Sequence, residues 1–162
     1  MLNGTIGIIA KAAGAYKCPA DVKGIDPVSK QPRVRSCSVN CYMGTNKRDY
    51  EFGSQIDNSY PAFFKYSSFN AKLSTTDAFV FLDENPLSIN DGYFEVDANP
   101  TSQFDDRPAI NHGNSSSFSF ADGHVELHKW HDSLLLVSPN SYANVSTSQD
   151  HLWLCAHASV HN

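Results

Sequence analysis

"HGNSSSFSFADGHVELHKW", residues 112–130, is the stretch whose reading decides the fold. Asp122-Gly123 stands between two alternating runs, a strong hairpin signal, because a type I′ turn needs positive φ at both central residues. With those two residues as the loop, Ala121 faces His124, Phe120 faces Val125, Ser119 faces Glu126, Phe118 faces Leu127 and Ser117 faces His128. Side chains alternate along a strand, so Phe118, Phe120, Val125 and Leu127 share one face, the predicted core. Ser117, Ser119, His124, Glu126 and His128 then form a polar ladder on the other.

That ladder has two readings. His124 and Glu126 would lie ~6.7 Å apart along the strand. With His112 folded over them they make a candidate site for zinc or another transition metal. The same residues equally suit the solvated face of a two-layer sheet, with Asp122 a plain turn residue. A second cluster, Asp83, Glu84, Asn85, Asn90 and Asp91, offers the hard oxygen ligands of a calcium site. Its spacing is not that of an EF-hand, and a polar loop closed by Asp91-Gly92 accounts for it as well. For acid/base chemistry the candidates are Glu84, Asp122 and Glu126 as carboxylates, with His112 and His124 as base or ligand. No Gly-rich phosphate loop and no G-x-S-x-G elbow is present.

Working outward, DAFVFLDE (77–84) is the most apolar strand and is expected at the sheet centre, with Asp83 and Glu84 on opposite faces. VRSCSVNCYM (34–43) alternates as a strand, opposing Val34, Ser36, Ser38 and Asn40 to Arg35, Cys37, Val39 and Cys41. INDGYFEV (89–96) reads as a turn into another strand, and AFFKYSSF (62–69) suits a strand or a short helix. TIGIIAKAAGAY (5–16) places Ile6, Ile9 and Ala13 at helical spacing, the end of a helix before a turn at Cys18-Pro19. SQDHLWLCAHA (148–158) offers Ser148 as a helix cap and Leu152, Trp153 and Ala156 as a buried stripe. The sum is an α+β fold with an antiparallel sheet and little helix.

The 162 residues fit one domain, residues 1–162. Charged residues are only 18% of the chain and the net charge is −5. The densest basic patch, KQPRVR (30–35), is too short to outweigh that balance, so nucleic acid is not an expected partner. No apolar run approaches the ~20 residues of a membrane helix, and the start lacks the parts of a signal peptide, so the chain as given is expected to be soluble. Cys18, Cys37, Cys41 and Cys155 allow three disulfide pairings or buried thiols. Cys37 and Cys41, on one face of a strand and roughly 13 Å apart, are too distant to bond each other. Sequons at Asn114 and Asn144 matter only in a glycosylating secretory pathway.

His112, nine residues and then Asp122-Gly123 match the pattern that names the prepilin-associated H-X(9)-DG domain family. The chain resembles that family well beyond the motif. YKCPAD (16–21), RSCSVNCYMG (35–44), FVFLDENPLSINDGYF (79–94), FSFADGHVELHKW (118–130) and DHLWLCAHAS (150–159) look like it, in that order. The resemblance implies a type II secretion pseudopilin-like protein of the bacterial envelope, extracytoplasmic in its full-length form. It implies a pilin-like head over residues 17–162, with 1–16 as the remnant of an N-terminal helix. The expected partners are other pilin-like or secretion-system proteins, with membrane contact only through the long apolar helix that this chain lacks. By analogy with the major pseudopilin, calcium would hold the Asp83–Asp91 loop.

Two functions follow from these readings. One is a head acting through protein–protein contacts. The other is a secreted hydrolase of glycoside or ester bonds, metal-assisted, motivated by the His and carboxylates around one hairpin. A glycan-binding surface built on the Tyr, Phe and Trp side chains is a third.

Overall fold

FVFLD, the apolar run at 79–83, forms the middle of the sheet. The computed structural model describes residues 8–9, 11–22, 25, 29–44, 59–102, 104–132 and 148–161. Within them lie β1 (Cys37–Asn40), β2 (Phe79–Asp83), β3 (Tyr93–Phe94), β4 (Ser115–Phe120), β5 (Val125–Lys129) and the helix α1 (Gln149–Ala158). The strands form one sheet in the order β3-β1-β2-β4-β5. β2 pairs antiparallel with β1 and β4, and β4 with β5, but β3 pairs parallel with β1. The fold is α+β as expected, and the wholly antiparallel sheet is corrected to a mixed one. After β2 the chain reverses through residues 84–92 and settles beyond β1, so that β1 and β3 both run opposite to β2.

The hairpin exists, but its register is one residue from the predicted one. Ser115 faces Lys129, Ser117 faces Leu127, Phe118 faces Glu126 and Ser119 faces Val125. Only Gly123 has positive φ, at 96°, and Asp122 does not. Gly123 N–H donates to the Phe120 carbonyl, and Phe120 N–H to that of His124. These are the marks of a three-residue loop, a type I turn followed by a left-handed glycine that forms a bulge. A slip of one residue moves a strand's side chains to the other face. Val125 and Leu127, expected in the core, are therefore 67% and 62% exposed on the edge strand. Phe118 and Phe120 are buried as expected.

A second irregularity sets the faces of β2. Phe79 pairs with Phe120 but Phe81 with Ser119, so one extra residue of β2 sits between them. This bulge sends both Phe79 and Leu82 inward while Phe81 stays 38% exposed. The inner face carries Ser38, Asn40, Phe79, Leu82, Phe118 and Phe120, under Trp130, Tyr42 and Phe94. Edge-to-face ring pairs knit it together: Phe79–Phe118 at 5.3 Å, Phe118–Trp153 at 5.1 Å and Phe118–Trp130 at 5.9 Å. The outer face carries Cys37, Val39, Phe81, Asp83, Ser117, Ser119, Val125 and Leu127.

α1 closes the inner face. Ser148 Oγ accepts the His151 N–H at 3.1 Å, so the expected cap is present. The buried stripe is different: His151, Leu154, Cys155 and Ala158 face inward, while Ala156 is exposed. That spacing of i, i+3, i+4, i+7 belongs to a helix face that includes a histidine, which a search for apolar residues passes over. Asp150 accepts the N–H groups of His131 and Asp132 at 2.7 and 2.6 Å, tying the start of the helix to the chain leaving β5. Near the N-terminus Ile8 and Ile9 are helical, and Ala13–Tyr16 is a 3-10 turn. Of the expected stripe there, Ile9 is exposed and Ile6 lies outside the described residues. The segment at 62–69 holds a 3-10 turn, Tyr66–Ser68. No described helix is long and apolar enough to cross a membrane.

Candidate functional site

The nine residues between His112 and Asp122-Gly123 are, for the most part, strand β4. His112 stands before β4, where Gly113 and Asn114 both take left-handed φ of 65° and 64° and the His112 N–H donates to the Ser115 carbonyl. Asp122 stands after it. The motif therefore marks the two ends of one strand, ~16 Å or more apart at ~3.3 Å per residue. This separation dissolves the predicted metal set of His112, His124 and Glu126.

At the His112 end the imidazole meets two groups that sequence spacing did not connect. Cys18 Sγ lies 3.2 Å from His112 Nε2, and Asp83 Oδ2 lies 3.4 Å from the same nitrogen. The three side chains come from three distant segments. Cys18 sits in the loop before β1, held by its N–H to Ser36 Oγ at 2.6 Å and by a turn closed from Asp21 N–H to its carbonyl. The far side of that loop is pinned by the buried ion pair Asp21–Arg33 at 3.2 Å, with Arg33 also donating to the Pro86 carbonyl. Asp83 ends β2, directly opposite Cys37 of β1, and accepts from Ser117 Oγ at 2.5 Å. The segment leading to His112 is bound alongside, Ala109 N–H donating to the Asp83 carbonyl and Glu84 bridging Pro108. An open pocket of about 440 Å³ lies over the group, walled by Tyr16, Cys37 and Ser117 among others.

Burial, with the Asp83 carboxylate adding to it, raises the Cys18 thiol above its ordinary value although the Ala20 N–H works the other way. Burial and Asp83 raise Cys37 similarly. Neither is the activated thiolate of a cysteine nucleophile. None of the four cysteines forms a disulfide. Cys155 is packed beside His151, its thiol pushed by burial up to about 12.

The other predicted residues fall elsewhere. Asp122 and His124 close on each other at the hairpin tip, Nδ1 to Oδ1 at 2.7 Å, and the His124 backbone N–H holds the Asp122 carboxyl below its ordinary value. His124 stacks on Phe120 at 4.3 Å. Glu126 is exposed, and His128 is drawn into the aromatic cluster, stacked on Trp153 at 3.7 Å. Asp91 caps its own turn by accepting the Tyr93 N–H at 2.8 Å, and it does not join Asp83. Asp83 and Glu84 do point to opposite faces, as predicted. Glu84 is buried against Ser38 on the inner side. The catalytic candidates Glu84, Asp122, Glu126 and His112 are thus not brought to one place.

Around Glu84 lies an acidic group that sequence spacing did not connect. Burial and then Asp106 push Glu84 up to about 8, and Asp106 itself reaches about 7 through burial. Burial followed by Asp105 and Asp106 raises Glu95 to about 7, and Asp105 stands at about 6. Burial is the first cause of every one of these shifts, and the neighbouring carboxylates add to it. Cys18 was the residue missed at the His112 site. Its signal was present in the YKCPAD segment, but a cysteine without a Cys or His at finger-like spacing reads first as a disulfide partner.

No family model matches the chain, and neither a curated protein nor a solved structure is found similar to it.

Proposed function

We propose that the chain is a pseudopilin-like head of a bacterial envelope assembly, of the type II secretion or type IV pilus kind, acting by protein–protein contacts outside the cytoplasm. The resemblance to the H-X(9)-DG family raises this reading, and one observation carries it. The outer face of the sheet presents Phe81, Val125 and Leu127 to solvent, two of them on β5, the edge strand among the described residues. An exposed apolar strip on a sheet edge is a feature that monomeric proteins avoid and interfaces use. The occupant of that strip is another pilin-like protein of the assembly.

The test is a photoreactive side chain placed at Val125 or Leu127 in cells carrying the whole assembly. Adducts with pilin-like envelope proteins are expected from both positions and not from exposed Lys72. Equal labelling from all three, or no adduct from the strip, would remove the reading. Glycoside or ester hydrolysis by the purified chain, abolished by His112→Ala, would replace it with the enzyme alternative.

A further inference from the structure

We infer that Cys18, Asp83 and His112 form a binding site for one zinc(II) ion, independent of whether the head docks to another pilin-like protein. In a Cys–His–Asp catalytic triad the nucleophile meets one imidazole nitrogen and the acid orients the ring from the other. Here the thiol and the carboxylate both face Nε2, at 3.2 and 3.4 Å. All three ligand atoms lie within 4.8 Å of one another. A relay has no use for that convergence, whereas a cation does.

The distances fit the ion. With Zn–S of ~2.3 Å and Zn–N and Zn–O of ~2.0 to ~2.1 Å, a tetrahedron has S···N and N···O edges of roughly 3.6 and 3.3 Å. The observed separations fall within a few tenths of an ångström of those edges. The donor set selects the metal class: a thiolate and an imidazole disfavour calcium and magnesium, which take oxygen ligands, and suit borderline zinc. One thiolate and one carboxylate together balance the two positive charges.

The surroundings have the parts of an outer shell. Ser117 Oγ donates to Asp83 Oδ2 at 2.5 Å, and Ala20 N–H donates to Cys18 Sγ at 3.4 Å, both orienting ligand atoms. The fourth coordination position opens on the pocket of about 440 Å³. Three protein ligands and an open position are the arrangement zinc takes where it keeps a water or a small ligand. The ion also joins three segments distant in sequence, the Cys18 loop, the end of β2 and the turn before β4.

The full chain, purified under reducing conditions and stripped of metal, is titrated with zinc, and with cobalt as the spectroscopic probe. One equivalent of zinc is expected, with a thiolate-to-cobalt charge-transfer band and a higher Tm that chelation reverses. Cys18→Ser abolishes the band. His112→Gln and Asp83→Asn each weaken zinc by more than the roughly 10- to 100-fold that an outer-shell change such as Ser117→Ala costs. Near-ultraviolet circular dichroism verifies that each variant is folded. Absence of the cobalt–thiolate band in the folded wild-type chain overturns the site, whatever the variants do. So does undiminished zinc binding in Cys18→Ser and His112→Gln, or a Cys18–Cys37 disulfide in the zinc-saturated protein.

Discussion

Glu84 shows how a single side chain can set the pH response of the chain. It is 1% exposed, and its carboxyl sits at about 8 because burial and then Asp106 disfavour its charge. Between the ordinary glutamate range and that value, the folded chain keeps a proton that the unfolded chain has released. The stabilisation is therefore complete below the ordinary value and is lost as pH rises through about 8. We expect denaturant midpoints to fall from about pH 5 to about pH 9, on the order of 1 kcal/mol per pH unit for each proton held. Glu84→Gln, which fixes the neutral form, should flatten part of that slope; Asp106 and Glu95, raised likewise, contribute with the same sign. An unchanged slope in the variant would show that Glu84 is already ionised in the folded state. At this scale the alternation of strand side chains told which way Asp83 and Glu84 point. It did not tell their partners, because Cys18, Asp106 and His112 arrive from segments 22 to 65 positions away, and spacing in sequence carries no information about such meetings.

The hairpin β4–β5 shows what an element's own sequence can and cannot specify. Asp122-Gly123 announced a turn, and a turn is there. The choice between a two-residue loop and a three-residue loop with a bulged glycine rests on whether Asp122 adopts positive φ, and both options accept Asp-Gly. Tertiary context decided it: Trp130 and His128 fill the inner side beneath Phe118, leaving Val125 and Leu127 outside. The two registers predict opposite thermodynamics. Val125→Lys and Leu127→Lys should each change stability by no more than about 0.5 kcal/mol, as exposed substitutions do. Phe118→Ala should cost about 3 to 5 kcal/mol, as removal of a buried ring does. Chemical denaturation of the three variants checks this, and a large loss from Val125→Lys would restore the two-residue loop. The helix α1 was legible at its cap, Ser148, and misread along its face, since a histidine, His151, is as fully buried in the stripe as Leu154 and Ala158.

Across the whole molecule, the joint between sheet and helix is polar. Asn40 is fully buried, and its Nδ2 donates at 3.0 Å both to the Phe79 carbonyl of β2 and to the Ala158 carbonyl of α1, while its Oδ1 accepts the Tyr42 N–H. Asn40→Leu, similar in volume, leaves all three backbone groups unsatisfied and should cost several kcal/mol, at roughly 1 to 3 for each orphaned group. A thermal melt of that variant within a degree of wild type would mean that the three groups find other partners. The α+β class was legible because the apolar and alternating runs are strong; the mixed pairing and the polar joint were not, since both depend on where the chain travels between strands. Strand β4 has a further consequence. Because its two ends are fixed, His112 beside Cys18 and Asp83, the Asp-Gly turn at the tip, the interval between them acts as a ruler with parity. Shortening it by one residue would exchange the serine and phenylalanine faces. Shortening it by two would restore the faces and leave the imidazole ~6.7 Å short of its partners. Neither change can be absorbed in the way a loop absorbs one, so the number nine is a length set by the sheet itself.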